Sequence, residues 1–279
     1  MPSDLEGSLD VAPLLIAVAP NGARRTHKDH SNLPITPLEL AKTAENCCEA
    51  GASLIHLHVR DEANRHTLDP TRYRDAIKEI ESAVGDRMII QVTSEAAGVY
   101  CAAQQMSAIL ELQPRCVSLG LREIIKDETA IESGANFLLA LNRRETLVQY
   151  ILYNEQDIDW YLHLCEVGVI PARHKFLLLV LGRFENQTSR PSYLKDYLSA
   201  LTTSEPWMVC AFGVNEQQVM KQAIALGGHA RVGFENNIWM PDGCLAKSNA
   251  DLVSLTAESA NNKGRGLANK KQALSLFSP

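Results

Sequence analysis

The sequence lacks the features of a membrane, secreted or nucleic-acid-binding protein. No uninterrupted apolar run in its 279 residues approaches the roughly 18 residues that a membrane-spanning helix requires. The first ten residues, MPSDLEGSLD, have neither the basic nor the apolar region of a secretion signal, so we expect a cytoplasmic protein. A formal net charge of -6 argues against nucleic acid or an anionic membrane as the main partner.

The cysteines also lack the spacing of a zinc cluster or a disulfide framework. None of the seven forms a C-x-x-C pair, and most lie within apolar helix or strand patterns. We interpret them as reduced core residues. Cys116 and Cys210 fall in predicted strands, but neither has an evident partner that would activate it as a nucleophile.

Apolar, mostly β-branched runs of strand length recur along the chain. They cover residues 14–19, 53–59, 88–93, 116–121, 147–153, 175–181, 207–212 and 230–234. Segments with helical periodicity lie between them, including 37–50, 70–84, 158–167 and 216–226. Near-continuous hydrophobicity indicates strands buried on both faces, hence a parallel sheet. Eight βα units in a chain of this length predict a (β/α)8 TIM barrel.

No repeat, low-complexity tract or Pro/Gly-rich linker divides the chain. We therefore predict one catalytic domain over residues 13–279, preceded by a flexible N-terminus at 1–12 and ending in a helical segment after Ala246. Thr36 before Pro37, and Asp69 before Pro70, predict helix starts. An open doubly wound sheet is the alternative, but its Gly-rich phosphate turn is poorly matched by APNGARR.

Two histidines, His56 and His58, lie two residues apart in the apolar run ASLIHLHVRD. Residues i and i+2 of a strand point to the same face, so both imidazoles should project side by side. Such a pair at the polar end of a core strand is suited to a catalytic metal. Two hydrogen-bonded core histidines are the alternative.

Polar residues follow several of the predicted strands, at the end where a barrel carries its active site. These residues are Asn21 to Arg25, Arg60 and Asp61, Thr93 to Glu95, Arg122 and Glu123, and Glu235 to Asn237. Barrel closure makes the first strand a neighbour of both the second and the eighth. Glu235 can therefore approach His56 and His58 and supply a third ligand, for zinc or for iron, manganese or cobalt. A helix-capping or surface carboxylate is the alternative.

Several segments resemble the beta-keto acid cleavage enzyme family. They are IHLHVRD at 55–61, NLPITP at 32–37, EAGA at 49–52, GGHARVGFENN at 227–237 and SNADL at 248–252. The similarity extends from about Leu14 to Ala273. It implies a zinc-dependent (β/α)8 barrel, usually a homotetramer, that converts a β-keto acid and acetyl-CoA into acetoacetate and a new acyl-CoA.

The resemblance also implies roles for individual residues. Zinc would bind His56, His58 and Glu235, and would act as a Lewis acid on the β-keto acid. Arg231 would assist proton transfer and stabilise charge. Thr93 and Ser118 would donate hydrogen bonds to the bound substrate, unless these hydroxyls only form strand-end turns.

The sequence departs from the family pattern at Asn236, where family members have an aspartate paired with the arginine. An amide cannot act as a base. Asn236 could orient Arg231 while another carboxylate takes the proton, and Glu123 is preferred over Glu95 for that role. The alternative is an altered mechanism.

A second departure is Arg24, which stands where an enzyme for an amino-bearing keto acid has a carboxylate. A guanidinium matches a carboxylate in a bidentate manner, so the substrate could be a keto diacid. Alternatively, Arg24 pairs with a neighbouring acid or contacts the phosphates of CoA.

The leading hypothesis is a metal-dependent acyltransferase that uses acetyl-CoA as co-substrate. A metal-dependent retro-aldol lyase or decarboxylase of oxo acids, with no need for CoA, is the first alternative. The substitution at Asn236 suggests a second one, a catalytically weakened sensor that binds a keto acid.

Overall fold

The structure is a computed structural model that describes residues 12–173, 175–183, 189–202 and 204–277. The predicted flexible N-terminus, residues 1–12, lies outside the described residues except for Ala12. In the described parts of the chain, no helix is both long and apolar enough to cross a bilayer.

Eight parallel strands form the predicted barrel. They are β1 (Ile16–Val18), β2 (Leu54–Leu57), β5 (Ile89–Thr93), β6 (Cys116–Gly120), β7 (Leu147–Leu152), β8 (Phe176–Leu181), β9 (Trp207–Ala211) and β10 (His229–Val232). Hydrogen bonding closes them in the order β1-β10-β9-β8-β7-β6-β5-β2. The (β/α)8 prediction is confirmed, and the open-sheet alternative is wrong because β1 pairs with both β2 and β10.

Helices surround the barrel and close its amino-terminal end. They are α1 (Pro37–Glu49), α2 (Pro70–Val84), α3 (Ala102–Leu112), α4 (Leu121–Ile124), α5 (Ile131–Arg143), α6 (Glu155–Glu166), α7 (Tyr193–Ala200), α8 (Glu216–Ala225), α9 (Asn249–Asn261) and α10 (Lys270–Ser275). The predicted start of α1 is confirmed. Thr36 and Glu39 form a capping box, in which each side chain accepts a hydrogen bond from the backbone N–H of the other.

Alternate residues of each strand fill the barrel interior. Leu15, Ala17 and Leu54 pack inside with Phe176, whereas Ile16 and its neighbours on the outward face pack against the helices. Aromatic and apolar side chains close the lower interior: the Phe277 ring lies 4.8 Å from that of Phe176, edge to face. The space left for a ligand is therefore at the carboxyl ends of the strands.

A short antiparallel hairpin, β3 (Val59–Arg60) and β4 (His66–Thr67), follows β2 and was not predicted. The predicted second strand continues to residue 59, but the barrel strand ends at Leu57. Two-residue strands are too short to produce a recognisable sequence period. In this hairpin the buried Arg60 guanidinium donates to the carbonyls of Gly22 and Arg25, which fixes the loop after β1.

Candidate active site

Three predicted ligands, His56, His58 and Glu235, direct their ligand atoms to one point. The Nε2 atoms of the two histidines lie 3.1 Å apart. Glu235 Oε2 lies 3.6 Å from His56 Nε2 and 3.4 Å from His58 Nε2. A tetrahedral zinc ion with bonds near 2.0–2.1 Å requires ligand atoms about 3.3 Å apart. The three residues therefore fit a metal ion of this type, and they form a candidate metal site.

Closure of the barrel explains why these residues meet. Val18 of β1 is in register with Ile55 of β2 on one side and with Val232 of β10 on the other. His56 lies within β2 and His58 just beyond its end, while Glu235 lies in the turn that follows β10. Residues far apart in sequence are thus brought to one rim.

Two glycines allow the close approach of the chain at this rim. Gly233 has a φ of +132°, and a Cβ there would lie 2.5 Å from the carbonyl oxygen of Ala19. A Cβ on Gly22, whose φ is +61°, would lie 2.5 Å from Glu235 Cγ. Only glycine fits both the backbone conformation and the space, so these two positions determine where Glu235 can stand.

Burial and charge hold His56 and Glu235 in the forms that bind metals. Burial, assisted by the charge of Arg231, lowers the pKa of His56 to about 3, so its imidazole is neutral. Burial works against ionisation of Glu235, but the charge of Arg231 beside it holds its pKa well below 4.5. A neutral imidazole and a carboxylate are both ready ligands.

His56 has two polar neighbours behind the site. Its Nδ1 lies 2.9 Å from the amide oxygen of Gln91 and 3.4 Å from Ser118 Oγ. Ser118 is fully buried and is not among the residues that line the cavity. The structure therefore places Ser118 behind a ligand, rather than at the position predicted from the resemblance, in contact with the substrate.

The candidate metal site opens into a cavity of about 420 Å³ at the carboxyl ends of the strands. Its lining combines the ligand end with an apolar part and several arginines: Asn21, Gly22, Ala23, Arg24, Arg25, His56, Thr93, Glu95, Gly120, Arg122, Glu123, Ile151, Tyr153, Val180, Gly182, Arg183, Phe212, Arg231 and Glu235. A small organic acid fits a space of this size and charge.

Arg231 does not pair with Asn236, which was one of the two alternatives for this residue. Arg231 Nη2 donates instead to Glu235 Oε1 at 3.1 Å and to Cys210 Sγ at 3.4 Å. The turn after β10 brings Glu235 back over Arg231, four residues earlier in the chain. Asn236 is fully buried, and neither atom of its side-chain amide has a hydrogen-bond partner among the described residues.

Arg24 lies at the cavity wall but is paired with a neighbouring acid, as the alternative stated. Its Nη1 lies 2.7 Å from Glu95 Oε1. The other carboxylate oxygen of Glu95 lies 3.8 Å from His58 Nε2. Glu95 thus connects the arginine to the ligand end of the cavity, and a substrate carboxylate would compete with it for Arg24.

Glu123 and Thr93 also line the cavity. Glu123 lies in α4, a single helical turn, and its Oε2 accepts a hydrogen bond of 2.9 Å from the Ala96 N–H. Burial raises the pKa of Glu123, and the Ala96 hydrogen bond offsets part of this rise. Thr93 Oγ1 accepts a hydrogen bond of 3.0 Å from the N–H of Glu95.

The prediction that the cysteines are core residues holds for Cys47, Cys116 and Cys210, which are buried, whereas Cys101 and Cys244 are exposed. All seven lie in described parts of the chain and none is in a disulfide. Burial raises the pKa of Cys116 to about 12 and that of Cys210 to about 11. Both thiols are therefore protonated, the form that is a poor nucleophile.

Sequence reasoning missed Gln91 and Tyr153. Gln91 alternates with Ile89 and Thr93 along β5, so a glutamine inside the barrel was visible in MIIQVT. Tyr153 directly follows β7, and its ring centroid lies 4.9 Å from the guanidinium carbon of Arg122. A polar residue in an otherwise apolar inward-facing row is the signal that would have identified Gln91.

The fold and the site define a (β/α)8-barrel protein with a candidate His, His, Glu metal centre at the carboxyl ends of its strands. More specifically, the chain belongs to the beta-keto acid cleavage enzyme family, whose model matches residues 13–278. The family resemblance noted from the sequence is therefore confirmed.

Named relatives are similar to this chain over almost its whole length. A 3-keto-5-aminohexanoate cleavage enzyme from Fusobacterium nucleatum is 30% identical over 268 residues, 95% of this chain and 97% of the relative. A 3-oxoadipate:acetyl-CoA acetyltransferase from Cupriavidus necator is 25% identical, covering 95% of this chain and 94% of the relative. The solved structure of ObcA with oxaloacetate shares the fold, with a TM-score of 0.71 at 16% identity over 88% of this chain and 67% of that one.

We predict that the isolated protein binds one zinc ion through the three ligands. His56→Ala and Glu235→Gln should each raise the dissociation constant for zinc by about 100-fold or more, since even the outer hydrogen-bond partners of metal ligands contribute 10–100-fold. Competition with a chromophoric chelator would measure the zinc dissociation constant of each variant. His163→Ala is the control, because this histidine lies in α6 with its side chain 40% exposed. Unchanged affinity in both ligand variants would exclude the site.

Proposed function

We propose that this protein is a metal-dependent acyltransferase that cleaves a β-keto acid with acetyl-CoA, releasing acetoacetate and a new acyl-CoA. The convergence of three ligand atoms at one end of an organic-acid-sized cavity is the observation that carries the proposal. Family membership and the acetyl-CoA-dependent relative support it. A zinc-loaded, cytoplasmic homotetramer is part of the same proposal.

The donor set suits zinc, and also iron, manganese or cobalt. When bound to His56, His58 and Glu235, the metal would act as a Lewis acid toward the oxygens of a β-keto acid. A ligand set of two imidazoles and one carboxylate leaves the site with a net positive charge once a divalent ion is present. An anionic substrate is therefore attracted to this end of the cavity.

Arg231 is suited to stabilise negative charge on the substrate. Its side chain is only 4% exposed and lies against Glu235 at the cavity wall. Two of its nitrogens, Nε and Nη1, are buried with no hydrogen-bond partner among the described residues. A preoriented cation of this kind lowers the free energy of a transition state in which charge develops on oxygen.

Glu123 is suited to remove the proton from the carbon between the two carbonyls, a role that Asn236 cannot take. The Ala96 N–H holds one of its oxygens, and burial gives the carboxylate a higher proton affinity than an exposed glutamate has. The electron pair left on that carbon then attacks the thioester carbon of acetyl-CoA, and the C–S bond breaks to release the CoA thiolate. The thiolate attacks the original keto carbon of the adduct, and the bond from that carbon to the central carbon breaks, which gives the new acyl-CoA. The central carbon takes back the proton held by Glu123 and becomes part of acetoacetate. Thr93 would donate a hydrogen bond to the substrate.

A β-keto acid panel with zinc-loaded protein, with and without acetyl-CoA, tests the proposal. We expect acetoacetate and a new acyl-CoA only when acetyl-CoA is present, and loss of both products in His58→Ala. Turnover without acetyl-CoA would favour the lyase or decarboxylase alternative. Thermal stabilisation by a keto acid with no turnover across the panel would favour the sensor.

We predict that Glu123→Gln lowers kcat by about 10²- to 10⁴-fold, because general-base catalysis contributes an effect of this size. The base must be ionised, so the wild-type rate should fall as the pH drops through the raised Glu123 pKa, above 4.5. In Glu123→Gln this acidic limb should disappear. Glu95→Gln is the matched comparison, since Glu95 also lines the cavity. If that variant alone removes the limb, Glu95 is the base.

For the substrate we propose a keto diacid whose distal carboxylate reaches Arg24. The distal carboxylate of the substrate would compete with Glu95 for Arg24, because Arg24 Nη1 already lies 2.7 Å from Glu95 Oε1. The Arg24 side chain is 47% exposed, so its remaining donors are accessible from the cavity.

We predict opposite effects of the two partners on specificity. Arg24→Gln should raise KM for a keto diacid about tenfold or more, because a charge-assisted bidentate contact is lost. Glu95→Gln should lower the same KM, since it frees the guanidinium. For a β-keto acid with an alkyl chain in place of the distal carboxylate, we expect neither substitution to change KM in this way. Equal effects of Arg24→Gln on both substrates would contradict the keto diacid.

A further inference from the structure

We propose that Gln91 and Gln149 form a hydrogen-bonded chain across the barrel interior that fixes the tautomer of His56, and so presents its Nε2 lone pair to a metal. The inference deepens the metal centre of the proposed function and assigns a positioning role to two residues remote from the substrate. It concerns the protein before any reaction takes place.

The chain of contacts is continuous and excluded from water. His56 Nδ1 lies 2.9 Å from Gln91 Oε1, and Gln91 Nε2 lies 3.1 Å from Gln149 Oε1. Gln149 Nε2 in turn lies 3.8 Å from the thioether sulfur of Met208. His56, Gln91 and Gln149 are each no more than 1% exposed, and Met208 is fully buried. The row crosses from β2 through β5 and β7 to β9.

Each contact in this row has a direction. An amide oxygen only accepts, so His56 Nδ1 must carry the proton that it shares with Gln91. A neutral imidazole then has its lone pair on Nε2, the atom that faces His58 and Glu235. The opposite tautomer would place a hydrogen on Nε2 and remove one ligand from the site.

The far end of the row prevents the amides from turning over. If Gln91 alone rotated by half a turn, its oxygen would face the oxygen of Gln149 at hydrogen-bond distance. If Gln149 rotated as well, its oxygen would face Met208 Sδ, which has no hydrogen to donate. In the present orientation of the two amides, every contact joins a donor to an acceptor. The sulfur of Met208 on β9 therefore determines, through Gln149 and Gln91, that Nε2 is the unprotonated nitrogen of His56.

The other histidine is held differently. His58 Nδ1 is buried with no hydrogen-bond partner among the described residues. The row is also neutral, whereas a carboxylate behind a ligating histidine would add negative charge to the ligand. The structure therefore orients His56 without reducing the positive charge available at the metal.

The test begins with metal-free protein containing ¹⁵N-labelled histidine. Long-range ¹H–¹⁵N correlation spectra distinguish the two imidazole tautomers, and we expect His56 to be protonated at Nδ1. Gln91→Leu removes the acceptor, and Ser118 Oγ, 3.4 Å away, can either donate or accept. This variant should show mixed tautomers, and its zinc dissociation constant should rise about 10- to 100-fold.

Further variants separate positioning from packing. Gln91→Glu retains an acceptor, so it should restore the Nδ1–H form and bind zinc at least as tightly as the wild type. Gln149→Leu should have a smaller effect in the same direction as Gln91→Leu, and it carries the test if Gln91→Leu does not fold. Gln217→Leu is the matched control: it removes a buried glutamine, 3% exposed, whose hydrogen bonds lie within α8 and α9. It should leave both readouts unchanged.

Three results would overturn the proposal: Nε2–H in the metal-free wild type, an unchanged spectrum and zinc affinity in Gln91→Leu, or an equal loss of affinity in Gln217→Leu. None of these depends on turnover. Failure of acetyl-CoA-dependent cleavage would instead contradict the proposed function and leave the tautomer result standing.

Discussion

Closure of the barrel at β1 is the constraint on which the site depends. Backbone hydrogen bonds from this three-residue strand to β2 and β10 bring the histidine pair and Glu235 to one rim, although about 180 residues separate them in the chain. The close approach leaves no room for a side chain at Gly22 or Gly233. The same hydrogen bonds that complete the fold therefore assemble the ligand set.

The charged side chains of the cavity wall form ion pairs, and one carboxylate can serve more than one partner. Glu235 serves both histidines and Arg231, and Glu95 serves Arg24 while lying near His58. Arg122, farther along the wall, is held by Asp157 at 2.6 Å. Pairing compensates the charge of the buried Arg231 and of the more exposed Arg24 and Arg122 in the absence of a substrate. An incoming anion therefore has to exchange partners with these acids.

The barrel interior contains a polar layer between an apolar region and the cavity. Below it lie the apolar residues that include Phe176 and Phe277, and above it lies the cavity. The layer itself consists of inward-facing side chains such as His56, Gln91 and Gln149, which satisfy one another's hydrogen bonds. A buried polar layer of this kind is stable only when its members are paired, so it also fixes their orientation.

The eight strands, the barrel and the three residues of the candidate metal site could be predicted from the sequence, because strand periodicity and the order of βα units dictate which residues reach the carboxyl rim. Those are local properties of the chain. The choice of hydrogen-bond and ion-pair partners is not a local property. Arg231 does not pair with Asn236, Arg24 pairs with Glu95, and Ser118 lies behind His56. These contacts are known only from the tertiary structure, because each depends on the distance between side chains that follow different strands. A change of about 1 Å in that distance is enough to make or break a hydrogen bond or an ion pair.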